Sequence, residues 1–227
     1  MYSRDNLLDI IKKTSEKTFV PIVVGGGIRS LEDIQNVLIN GADRVLINSE
    51  AIKNPDIINN AVNKYGSSTI IAGIEAGLKK DVYYSYYNFG REFSGKEVLN
   101  WSLELQERGV GEILITSIDK DGTGNGFQID LIKKIKEKLS IPIIAHGGAG
   151  SSNDILNLKK NVDVDAVALA STLHYNFLKE NDIPFIKNNV EGNINFLEKK
   201  KKFKNFGNES ISDIKNFLLK NNINVRI

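Results

Sequence analysis

The sequence predicts an α/β fold of the (β/α)8 (TIM) barrel type. Three observations carry that expectation: short β-branched runs alternate with amphipathic stretches, glycines stand where helices should stop, and one passage recurs far along the chain. The runs fall at 19–24 (FVPIVV), 44–47 (RVLI), 69–74 (TIIAGI), 112–117 (EILITS), 141–145 (IPIIA) and 165–169 (DAVAL). Apolar on successive positions, each reads as a strand covered on both faces. Between them, helical spacing places Leu31, Ile34, Val37 and Leu38 on one face, then Ile57, Ile58, Ala61 and Val62, then Val98, Trp101, Leu103 and Leu105, then Leu131, Ile132, Ile135 and Leu139. Gly41, Gly66 and Gly109 occupy helix ends. Such alternation implies parallel strands with helical crossovers, in an open doubly wound sheet or a closed barrel.

The recurrence chooses the barrel. Aligning Pro21 with Pro142 sets Gly26-Gly27 over Gly147-Gly148, and after one inserted residue Asp43, Val45 and Ser49 fall on Asp165, Val167 and Ser171. Two similar βαβ quarters so far apart are expected of two related half-barrels. The chain is read as one domain, 1–227, with an insertion at 175–208 where periodicity fades into Lys- and Asn-rich sequence; the run EKKKKFK there is read as a solvated face. A last helix is expected at about 210–221, opened by Ser210 or Ser212, with Ile214, Phe217 and Leu218 on one face.

Thirty basic and 28 acidic side chains nearly cancel, which argues against a broad field for nucleic acid or an anionic membrane. The absence of cysteine excludes disulfides, thiolate catalysis and cysteine metal sites, and is compatible with a reducing cytoplasm. No apolar stretch is long enough to span a bilayer, and residues 1–12 lack a signal-peptide layout. His146 and His174 lack metal-ligand spacing and are read as structural or supporting; no metal or cofactor is expected.

Glycines after a parallel strand let backbone amides approach an anion, and the following helix adds its positive end. Gly25–Gly27 and Gly147–Gly150 both offer this, each followed by a strand ending in Asn48-Ser49 or Ala170-Ser171, so two phosphate cradles for one doubly phosphorylated ligand are expected. A single tight strand-to-helix turn would look the same without any ligand. GEILITSIDKDGTGNGF, 111–127, runs into Thr116, Ser117, Asp119, Asp121, Gly122 and Thr123, a candidate substrate loop that could also be a capped Asp-Gly turn. Glu75 ends an apolar strand and can serve as general acid or base, or as a helix cap or ion-pair partner. Trp101 is read as packing, and Arg91-Glu92 in NFGREFSG as a loop after a strand at 82–87.

VGGGIRSLEDI, GADRVLINS, GVGEILITSIDKDGT, IPIIAHGGAG and the terminal NVR together resemble the cyclase subunit of imidazole glycerol phosphate synthase, a histidine-biosynthesis barrel. The resemblance implies that Gly27, Asn48 and Ser49 hold one substrate phosphate and that Asp121, Gly122, Gly148 and Ser171 serve the other end. It implies a glutaminase subunit docked at the barrel's N-terminal face, with ammonia passing a charged ring to which Arg44 and Glu112 correspond. Ammonia would attack a bis-phosphorylated aminoimidazole carboxamide ribonucleotide, and an acid–base pair of aspartates would promote cleavage and ring closure. Glu75 stands where one of those aspartates is expected, its carboxylate one methylene further out. The chain is expected to lack about two strands, including the one bearing the other aspartate. Glu75, SRDNLLDI and NFGREFSG are more similar to a side branch associated with amidation of bacterial surface sugars, in which the barrel relays ammonia to a separate amidotransferase. A second alternative is an isomerase acting on a related ribonucleotide.

Overall fold

The computed structural model describes residues 4–180 and 205–226. Helix α1 (Arg4–Ser15) leads into β1 (Val23–Gly25), α2 (Leu31–Ile39), β2 (Arg44–Ile47), α3 (Ser49–Lys53), α4 (Asp56–Tyr65), β3 (Ile70–Lys79), β4 (Val82–Tyr87), β5 (Glu92–Glu97), α5 (Val98–Glu107), β6 (Glu112–Ser117), α6 (Ile129–Lys136), β7 (Ile143–His146), α7 (Ser152–Asn161), β8 (Ala166–Val167), α8 (Ser171–Glu180) and α9 (Ile211–Lys220). Six strands are parallel and adjacent in the order β1-β2-β3-β6-β7-β8, forming a curled partial barrel sheet. Among the described residues the outer edges of β1 and β8 carry no strand partner, and Phe19, Val20 and Val23 beside β1 are exposed.

Alternation along the strands separates two faces. Ile113 and Ile115 pack in one core with Trp101, Leu105, Leu131 and Ile135, whereas Glu112, Leu114 and Thr116 look the other way and are only half-buried. Ile34, Ile58 and Ile70 are fully enclosed in the same core, and each such side chain contributes about 1.5–3 kcal/mol. A second cluster joins Ile132, Ala145, Ile155 and Leu158 to Ile214 and Leu218 of α9.

The repeat recurs as hydrogen bonds. Before α2, the Asp33 carboxylate accepts from the amides of Arg29 (2.8 Å) and Ser30 (3.1 Å); before α7, Asp154 accepts from Gly150 and Ser151 (both 2.9 Å). Asp43 accepts from the Ile22 amide at 2.7 Å, and Asp165 does so from Ile143 at 2.9 Å. Gly41, Gly66 and Gly109 stand at helix ends with positive φ, and Ser210 caps α9, as expected.

Three expectations need correction. NFGREFSG is not wholly a loop, because Glu92 begins β5, an antiparallel partner of β4. Glu75 does not end its strand: pairing with β4 carries β3 on to Lys79. The first strand starts at Val23 rather than 19, since Pro21 cannot donate to a ladder. Of the insertion expected at 175–208, residues 175–180 complete α8; 181–204, with the whole basic run, lie outside the described residues.

Candidate functional site

The C-terminal ends of the parallel strands, where barrel folds place their sites, carry most of the sequence-predicted site residues. At β1, Gly26 (φ +96°) and Gly27 (φ +72°) adopt the left-handed region, and a Cβ on either would meet nothing within 4 Å, so the bend is open. Gly25 is a glycine for a different reason: a Cβ there would come within 2.9 Å of Leu46 Cδ2 on β2. The triple glycine thus divides into one residue for strand packing and two for the bend.

Beside this bend, Asn48 follows β2, and its Oδ1 is buried with no partner among the described residues, an acceptor that a ligand donor would satisfy. Ser49 opens α3, and its Oγ accepts a 3.1 Å hydrogen bond from the Asn88 amide. Asn88, Phe89 and Gly90 form the tip of the β4–β5 hairpin, all with positive φ. From the same tip the Gly90 amide donates to Glu75 Oε2 at 2.9 Å. The hairpin therefore fastens onto both Ser49 and Glu75, and these two bonds offset the cost of a left-handed tip, about 1–2 kcal/mol per non-glycine residue. Sequence reading missed this clasp because the hairpin's second strand went unrecognised. Beside the tip, Asn88 and Tyr87 donate to Glu92 and hold its carboxyl below the usual range.

The second bend lines a pocket with about 230 Å³ of empty volume open to solvent. Asp121, Gly122, His146, Gly148 and Ser171 contribute to its wall. Gly148 differs from Gly27: a Cβ there would overlap the Gly126 carbonyl oxygen, whose own amide donates to Gly148 O at 2.8 Å. At Gly122 (φ +70°) the space is open. Helix α8 starts at Ser171, and Thr172 is anchored to the Ala149 carbonyl at 2.6 Å, which fixes the helix end against the bend. Among the described residues no Lys or Arg lines this pocket, and the groups that these residues offer an anion are amides and hydroxyls.

His146, read from the sequence as structural or supporting, lies in this wall; its Nδ1 is 3.0 Å from Thr116 Oγ1. His174 is exposed on α8. Trp101 is packing, as expected, with Lys96 Nζ 4.2 Å above its ring. At the opposite end of the sheet Arg44 of β2 and Glu112 of β6 form an ion pair across β3. Among the described residues no group of three His, Cys, Asp or Glu could hold a metal, and no helix is long and apolar enough to cross a membrane.

Residues 1–179 match the family described as histidine biosynthesis protein. The chain is 41% identical over 185 residues to the imidazole glycerol phosphate synthase subunit HisF of Alkaliphilus metalliredigens, covering 81% of this chain and 72% of that protein. It is 39% identical to the protein of the same name from Microcystis aeruginosa (80% and 76% covered) and 37% identical to that from Methanococcus vannielii (84% and 76% covered).

Proposed function

The chain belongs to the histidine biosynthesis protein family, and from that premise we propose that it is a carbon–nitrogen lyase of the imidazole glycerol phosphate synthase type. In this reading it is the cyclase subunit. It takes ammonia from a glutaminase partner, then cleaves and cyclises a bis-phosphorylated aminoimidazole carboxamide ribonucleotide in the cytoplasm.

One observation carries the reading: the two bends of the repeat lie at the same end of the sheet, with Glu75 between them. β1 and β7 are four strand spacings apart, roughly 19 Å along the curved sheet, and β3 is the middle strand. A long ligand with a phosphate at each end would lay its reacting centre over Glu75. Gly26, Gly27 and the Ser49 hydroxyl would take one phosphate, with Asn48 Oδ1 accepting from a ligand hydroxyl or N–H. Amides of Gly148 and Ser171 would take the other, aided by the end of α8. Asp121 would repel a phosphate, so its role beside Gly122 is to accept from a sugar or glycerol hydroxyl. The Arg44–Glu112 pair, at the far end of the same face, is where ammonia would enter.

Glu75, held by the Gly90 amide, would act as general acid–base. The test is ammonia-dependent release of imidazole glycerol phosphate by the purified full chain, alone and with glutaminase subunit plus glutamine. Glu75→Gln is expected to lower kcat by about 10²-fold or more while ligand affinity stays within twofold. Persisting turnover in that variant would assign the carboxylate to structure. A wild-type chain with no ammonia-dependent product under either condition would overturn the lyase reading.

A further inference from the structure

We propose that His146 is a second proton-transfer group of this site, working opposite Glu75 across Thr116; the inference rests on the lyase reading above. Strand register pairs Glu75 with Thr116, and Thr116 with His146, on the adjacent strands β3, β6 and β7. Their neighbours Ile74, Ala76, Ile115 and Ala145 are buried in the helix-side cores, so carboxylate, hydroxyl and imidazole form one row on the opposite face. Two strand spacings set the backbones of Glu75 and His146 about 10 Å apart, and side chains on a concave face converge.

The imidazole is set up for exchange. Its Nδ1 is engaged by Thr116 Oγ1 at 3.0 Å, which leaves Nε2 for a ligand in the pocket that His146 lines. A hydroxyl both donates and accepts, so Thr116 suits either tautomer, and Nε2 can release or take a proton without the ring losing its anchor. A carboxylate partner would favour one form only. Among the described residues, Asp121 in the loop after β6 is the other titratable group of the pocket wall, and Glu75 lies two strands away on β3; the β8–α8 connection and the start of α8 contribute Ala168, Leu169, Ala170 and Ser171.

The repeat gives independent support. With Pro21 over Pro142, His146 falls on Gly25, where the first half-barrel has no side chain at all. The shared fold therefore does not require the ring, and a half-exposed imidazole with one polar contact contributes little to packing.

In the step we infer, Glu75 as carboxylate takes a proton from an attacking nitrogen while that nitrogen bonds to carbon. His146 as imidazolium gives a proton to the departing nitrogen while its bond to carbon breaks. The pair ends as carboxylic acid and neutral imidazole, and solvent returns the proton from Glu75 to His146 before the next turnover.

Full-length wild type, His146→Gln and His146→Gly would be compared in the ammonia-dependent assay. The expected result is a kcat lower by about 10²-fold with KM within threefold, and partial recovery of His146→Gly by added imidazole. A kcat within threefold of wild type, or loss confined to KM, would overturn the proposal. Should both variants fail to fold, Thr116→Val, which removes the Nδ1 partner, is expected to lower kcat and not KM, and an unchanged kcat would overturn it equally. If the wild type itself shows no turnover, the lyase reading fails separately, and ¹⁵N spectra of the imidazole during titration with imidazole glycerol phosphate decide for His146. A shift at Nε2 supports a ligand-facing ring, and none overturns it.

Discussion

Gly27→Ala separates the demands of the fold from those of the ligand. Residue 27 sits at φ +72° with nothing within 4 Å of where a Cβ would point, so alanine meets left-handed strain but no clash. That strain is about 1–2 kcal/mol, and for a chain of this size each kcal/mol lowers the melting temperature by about 2–4 °C. The methyl group would occupy the space open to a phosphate. Losing one amide hydrogen bond to a charged group costs about 1.5–3 kcal/mol, or roughly 10- to 150-fold in Kd. Gly66→Ala is the control: its φ is +84°, its Cβ direction is equally open, and it lies at the far end of β3, so it should show the same strain with unchanged affinity. Gly148→Ala should be worse in stability, because the new Cβ meets the Gly126 backbone, adding about 1–3 kcal/mol of overpacking to the strain. Calorimetric titration with the bis-phosphorylated ribonucleotide, beside thermal melts by circular dichroism, reads both quantities. If Gly27→Ala melts as predicted yet binds within twofold of wild type, the open bend is not a phosphate site.

Other outcomes follow from the same structure. Asn48→Leu removes a buried acceptor that has no partner and should leave the ligand-free protein as stable as wild type, while weakening ribonucleotide binding about tenfold; equal loss of both in denaturation and titration would show that Asn48 serves the fold. Trp101→Ala should cost about 3–5 kcal/mol in urea unfolding, and Trp101→Phe a fraction of that, since the indole N–H has no partner to lose. Burial works against the ionised form of Asp165, yet Lys136 and the Ile143 amide outweigh it and hold the carboxyl below its usual range. Its stabilisation is therefore complete above the unfolded carboxylate value of about 4 and fades as pH falls through the lower folded value. The stability gap between wild type and Asp165→Asn should accordingly shrink from pH 7 to pH 3; a constant gap would refute the assignment. Gly90→Ala places a methyl 3.1 Å from Ile118 Cγ2 at φ +69°, and should loosen the hairpin clasp, lowering kcat without altering glutaminase docking measured by co-sedimentation.

What could be read from the sequence was whatever repeats or recurs locally. The glycine pairs after β1 and β7, the helix-stop glycines and the Ser210 cap are set by short-range geometry, and each appears where its spacing places it. The β4–β5 hairpin escaped because β5 is polar, contains Gly95 at φ +76°, and pairs with β4 through a register shift, none of which leaves an alternating apolar signature. With it went the clasp on Ser49 and Glu75, which depends on three left-handed residues rather than on composition. The place of His146 in the pocket wall was not legible, because a histidine without metal-ligand spacing carries no signal of what it lines. Glycine identity alone also could not distinguish the open bend at Gly26-Gly27 from the crowded one at Gly148, where the neighbouring backbone comes from a loop remote in sequence.

The most direct measurement is a crystal structure of the full chain with the bis-phosphorylated aminoimidazole carboxamide ribonucleotide. One molecule should span the sheet, with a phosphate at Gly26-Gly27 beside Ser49, the other at Gly148 and Ser171, and its reacting carbon over Glu75. A ligand bound elsewhere, or one phosphate held with the second bend empty, would contradict the account.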